Sequence, residues 1–240
     1  MYQILKKELN SFLNSLIGYI VMGVFLTATG LFTWFFKDNI LDFGYADMNL
    51  FFQIAPFIFL FLIPAITMRA FSEEIKSGTI ELLFTKPLSK WEIVLGKYLA
   101  SCCLILFSLL PTLLYYYSVY QIGNPLGNVD SAAVFSSYVG LFLLGCVFAA
   151  VGVLTSSFTD SQVTAFVMSF VLCLILFYGI GQLAQLSFLG DFGYVFNQLG
   201  LDYQYNALGK GLIDSRNLVY FLSIIFLCLW ITKLRVSSLK

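Results

Sequence analysis

Six long runs of apolar residues constrain this chain more than any other feature. They lie at about 15–36, 50–70, 92–121, 133–157, 162–187 and 217–234, and their central portions carry no Asp, Glu, Lys or Arg. Each is near the roughly 20 residues that an α-helix needs to cross the hydrocarbon core. The runs are continuously apolar and do not alternate, which argues against a transmembrane β-barrel. A 240-residue chain that is 60% hydrophobic and 11% charged is not a soluble domain. The expected fold is therefore all-α: a single polytopic membrane domain of six transmembrane helices.

The charged residues set an orientation. With the amino terminus placed in the cytoplasm, ten basic residues fall inside: Lys6, Lys7, Arg69, Lys76, Lys86, Lys90, Lys97, Lys233, Arg235 and Lys240. Three, Lys37, Lys210 and Arg216, fall outside. That asymmetry obeys the positive-inside rule, so both termini and residues 72–97 are expected in the cytoplasm. Trp34 and the cluster Tyr115, Tyr116, Tyr117 and Tyr120 then sit at outer edges, with Trp91 and Trp230 at inner ones.

Residues 1–14 place Leu5, Leu9, Phe12 and Leu13 on one stripe with Lys6, Lys7 and Glu8 off it, the pattern of an interfacial helix leading into the first span. A signal peptide fits less well, because the following run is too long and no A-x-A site ends it. Residues 71–90 form the long polar interruption. Phe71, Ile75, Gly78 and Leu82 share a helical face there, and Gly78 is expected to split the segment into two short pieces. Ser89 and Glu92 have the spacing of a capping box, with Leu88 and Ile93 as a hydrophobic staple, so a helix starts near Lys90.

Pro56, Pro64 and Pro111 predict kinks in the second and third spans, tolerable where neighbours satisfy the freed carbonyls. Gly23, Thr27 and Gly30 form one small-residue face, and Gly145, Ala149 and Gly152 another. Such faces permit close helix approach, either between subunits or within the chain. The stretch 188–216 interleaves aromatics with five charges, which excludes a seventh span. It reads as short helices at the outer surface, capping a pathway, docking an external partner or resting on the lipid.

Zero net charge argues against nucleic acid as a partner, and the absence of histidine removes the usual general base and commonest metal ligand. Cys102, Cys103, Cys146, Cys173 and Cys228 lie in apolar runs without CxxC spacing and read as packing residues. No catalytic or metal-ligating constellation can be assembled. Gly96-Lys97 and Gly209-Lys210 lack the rest of a P-loop, so any ATP would have to be hydrolysed by a partner, for which residues 72–86 are the obvious docking surface. The lack of intramembrane charge disfavours an ion-coupled carrier or a channel. A non-transporting membrane scaffold stays open.

Gly78-Thr79-Ile80-Glu81-Leu82-Leu83, followed by Pro87-Leu88-Ser89 and Trp91-Glu92-Ile93-Val94-Leu95-Gly96-Lys97, resembles the signature after the second span of ABC-2 type transporter permeases. Six spans, an amino-terminal elbow helix and a long loop before the last span agree with that family along essentially the whole chain. The pattern is similar to that of the gliding-motility-associated permeases of Bacteroidota. The resemblance implies a non-catalytic subunit in a bacterial inner membrane, with ATP and Mg bound by a separate cytoplasmic ABC ATPase. It implies a coupling helix near Glu73, Glu74, Gly78, Thr79, Glu81, Leu82, Leu83 and Phe84, and a start motif of the third span at Ser89, Trp91, Glu92, Gly96 and Lys97. Expected partners are a second permease chain, identical or different, and in the motility case a subunit with a large periplasmic domain.

Overall fold

The computed structural model describes residues 1–36, 39–42, 46–81, 88–184, 197–211 and 214–238, and no strand occurs among them. The helices are α1 (Tyr2–Leu13), α2 (Leu16–Trp34), α3 (Asn49–Thr67), α4 (Arg69–Lys76), α5 (Lys90–Leu109), α6 (Leu113–Ile122), α7 (Ser131–Ser156), α8 (Gln162–Leu174), α9 (Ile180–Ala184), α10 (Leu201–Leu208) and α11 (Ser215–Ser238). Five stretches are long and apolar enough to cross a membrane: Asn49–Lys76, Lys90–Ile122, Ser131–Ser156, Gln162–Ala184 and Ser215–Ser238. The pair α1 and α2, bent by 66°, makes a sixth when counted as one span.

Helix α7 is the centre of the bundle. It packs against α3, α5, α8, α10 and α11, and most of its length is buried. Its small residues explain why so many neighbours can reach it. A Cβ added at Gly152 would overlap the Thr67 hydroxyl, and one at Gly145 would lie 3.0 Å from the Ile105 side chain. The small face of the fourth span is thus internal packing. The face of the first span differs: a Cβ at Gly23 would meet nothing within 4 Å, whereas one at Gly30 would approach the Tyr115 hydroxyl.

Aromatic contacts join the helices: Phe25 of α2 stacks on Phe59 of α3 with centroids 4.8 Å apart, and Trp34 meets Tyr115 edge-on. Lipid or other chains must cover the remaining apolar surface, which includes Tyr19 and Val24 on α2, Val163 and Val167 on α8, and Leu222 and Phe226 on α11.

The prolines act differently from one another. Helix α3 runs through both Pro56 and Pro64. At Pro111 the third span passes through a 3₁₀ turn, Leu110–Thr112, before resuming as α6. Thr112 and Tyr138 of α7 secure that break, the tyrosine hydroxyl donating to the Thr112 carbonyl at 3.0 Å. The fifth span contains a π-helical turn at Ile175–Gly179 that no proline announces. In the stretch 188–216, α10 rests on α7 with Leu201, Tyr205 and Leu208 buried, an apolar face turned to protein.

Candidate functional site

The end of the bundle that gathers α1, α4, the start of α5 and the end of α11 holds most of the residues singled out by sequence. Its construction begins with α1. Ile4 is buried and Leu9 and Phe12 pack on the core, so the helix lies along the bundle with Lys6 and Lys7 facing out. It meets α5 at Gly96, where an added Cβ would stand 2.9 Å from the Ile4 side chain. Glycine there is a requirement of close approach.

Helix α4 follows α3 with a single residue, Met68, between them, so the polar segment continues the second span out of the apolar zone. It stops at Ser77. Gly78 has φ +69°, a left-handed conformation that side-chain-bearing residues rarely adopt, and a new helical turn begins at Ile80. Phe71 and Ser72 are buried, whereas Glu73, Lys76, Ser77, Gly78, Thr79 and Glu81 are exposed. The face shared by Phe71, Ile75, Gly78 and Leu82 on one continuous helix is therefore interrupted. The expected interface residues Leu82, Leu83 and Phe84 lie outside the described residues.

Further along, Ser89 and Glu92 form the capping box: the Glu92 amide donates to the Ser89 hydroxyl at 3.2 Å, and the Ser89 amide to the Glu92 carboxylate at 3.0 Å. Trp91 stands beside Trp230 of α11 with centroids 5.9 Å apart, and the Lys233 ammonium lies over both rings. The Lys90 ammonium donates to the Ser237 carbonyl at 3.2 Å. These contacts fasten the start of the third span to the end of the last.

The chemical centre of this end is Lys97, whose side chain is 3% exposed. Its ammonium lies 3.0 Å from a Glu8 carboxylate oxygen on α1 and 3.0 Å from one on Glu74 of α4, and over the Phe71 ring. Lys7 approaches Glu74 at 3.5 Å, while the exposed Glu73 pairs with Arg69 one turn back. These six charged residues line a cavity of about 380 Å³, with three positive and three negative side chains. The buried ammonium is held by two carboxylates and a ring face, so the cluster ties three helices together.

The sequence placed Glu73 and Glu74 together; the structure separates them. Glu73 faces out and Glu74 faces in, 14% exposed. The sequence assigns no role to Glu8. Its only signal was a carboxylate amid the lysines of an amphipathic helix, one turn from residues that pack. Among the described residues no group of three or more His, Cys, Asp or Glu side chains is arranged to hold a metal.

The family model described as ABC-2 family transporter protein matches residues 2–201, which covers α1 to the start of α10 and every residue discussed at this end of the bundle except those of α11. A comparison with curated proteins found no match.

Proposed function

The chain belongs to the ABC-2 transporter family, as a membrane permease subunit, and we propose that it is the membrane half of an ATP-driven complex whose cytoplasmic ABC ATPase seats against residues 73–84. The observation that carries this reading is the way α4 extends α3: the exposed Glu73 and Lys76 stand on a direct outward continuation of the second span. A push on that segment reaches the membrane along a helix. ATP and Mg would be bound by the ATPase, and this chain would contribute no catalytic group.

The ten-to-three distribution of basic residues supports a cytoplasmic location for this end and for both termini, in a bacterial inner membrane. The exposed apolar residues of α2, α8 and α11 fit lipid and a second permease chain. The ordered motif from Gly78 to Lys97 is similar to that of the gliding-motility-associated permease GldF of Bacteroidota, which supports a motility-type complex with a further subunit carrying a large periplasmic domain.

Affinity purification of the detergent-solubilised chain from its native host tests the proposal. The expected result is a stoichiometric P-loop ATPase that is lost when residues 78–83 are replaced by Gly-Ser. Recovery of the chain alone, stable in several detergents, would overturn it. A co-eluting protein with a large external domain identifies the motility type, and its absence from an intact ATPase complex argues for a general exporter.

A further inference from the structure

We infer that Lys97 is a positioning residue that bolts the elbow helix to the coupling segment, so that displacement of α4 by the ATPase carries α1 and the start of α5 with it as one body. The inference rests on the docking reading above. Three independent contacts define the bolt. The Lys97 ammonium bridges Glu8 of α1 and Glu74 of α4 at 3.0 Å each. Its position over the Phe71 ring, 5.2 Å from the centroid, adds a second hold on α4. Next to it, Gly96 brings the α1 backbone and side chains against α5 more closely than any larger residue would.

The geometry also says why a charge occupies this place when an apolar residue would pack. Apolar contacts between α1 and α4 slide with little penalty, because they are not directional. A buried ammonium shared by two carboxylates has one low-energy arrangement, since moving either helix away strands a charge in a poorly solvated site. Among the described residues the chain has a natural point of bending right after α4, at Ser77–Gly78, where φ is +69°. Without the bolt, movement imposed on α4 would pass into α3, α7 and α8, which it contacts directly, and would leave α1 behind. With it, the same movement reaches the first, second and third spans together.

The test uses the intact permease–ATPase complex in lipid nanodiscs, with nitroxide labels at Asn10 on α1 and at Asp160 between α7 and α8, both exposed. The background has its native cysteines replaced and binds ATPase normally. Distances are measured without nucleotide and with ATP plus vanadate. The wild-type charges should give a distance change on trapping. In Glu8→Met, which cuts only the α1 arm and lies outside the docking segment, the ATPase should co-purify at normal yield while the change falls by half or more. Glu8→Leu, which removes the same carboxylate, should give the same loss and serves if Glu8→Met does not fold.

An unaltered change in either variant overturns the bolt and leaves docking intact. The same holds for a wild-type label pair that does not move although ATPase is bound. Absence of any ATPase on the wild-type chain removes the docking reading, and this inference with it.

Discussion

The Tyr205 hydroxyl donates a hydrogen bond of 2.7 Å to the backbone carbonyl of Phe52. Phe52 stands four residues before Pro56, so its carbonyl is the one that a helical N–H at position 56 would have taken and that proline cannot. An amino acid 153 positions away, on α10, fills the gap. Burial pushes the Tyr205 phenol well above its ordinary value, so the hydroxyl keeps the proton it donates. The bond joins the stretch before the last span to the second span. Leu208, whose side chain meets the surface of α7 at Gly140, completes the seat of α10.

Tyr205→Phe should therefore destabilise the protein by about 1–3 kcal/mol, the usual range for a buried polar group left unpaired. In a Pro56→Ala background the loss should nearly vanish, because the substituted residue supplies the missing backbone N–H. Thermal unfolding of the four proteins in one detergent measures the coupling. Equal losses in both backgrounds would show that Tyr205 acts through packing alone.

Lys97→Met alone should be strongly destabilising, on the order of 3–5 kcal/mol, because it leaves Glu8 and Glu74 facing each other with their shared counter-charge gone. Adding Glu8→Gln and Glu74→Gln should recover most of that loss. Yield and melting temperature in detergent check the order of the three proteins. A triple variant less stable than the single one would mean that the Lys7–Glu74 pair, and not Lys97, holds the carboxylates in place.

Two glycines in small-residue faces should respond in opposite ways to alanine. Gly152→Ala forces a methyl into Thr67 and should cost about 1–3 kcal/mol. Gly23→Ala meets open space and should be neutral, or stabilising by up to ~1 kcal/mol through helix propensity. If Gly23→Ala instead disturbs the size of the purified complex on a sizing column, that face is covered by another chain.

The acidic residues of the polar segment should divide by direction. Glu81→Lys and Glu73→Lys change exposed positions and should lower recovery of the ATPase while leaving the melting temperature of the permease within about a degree, since surface changes rarely exceed ±0.5 kcal/mol. Glu74→Gln should lower the melting temperature. Co-purification and unfolding measured on the same preparations separate the two effects, and a Glu81→Lys chain that retains ATPase at normal yield would displace the proposed interface.

Ser89→Ala should cost about 0.5–2 kcal/mol by removing the cap of α5. Because Trp91 fastens the same turn to Trp230 of α11, the loss should shrink in a Trp230→Ala background, in which the Lys90–Ser237 bond remains. Unfolding of the single and double variants measures this; full additivity would mean that the cap and the tryptophan pair act apart.

The sequence by itself determined the class of this protein and the features that depend on near neighbours in the chain. Apolar runs of membrane length must become helices, because a backbone in lipid has to satisfy its own hydrogen bonds. The Ser89–Glu92 box and the break at Gly78 are local as well: three residues of spacing decide the first and one left-handed residue the second. The ordered motif from Gly78 to Lys97 carried the family resemblance without any fold in hand.

Only the tertiary structure decided what each charge and each freed carbonyl faces. Glu73 and Glu74 are adjacent letters of the same kind, yet one turns to solvent and the other to Lys97. The 100° step between successive helical residues put one of them on the face that α1 and α5 happen to cover. Glu8 lies 89 positions from Lys97 and Tyr205 lies 153 from Phe52. No periodicity spans such distances, since these pairings are made by helices crossing in three dimensions. Their partners were chosen by what each crossing left buried and unpaired.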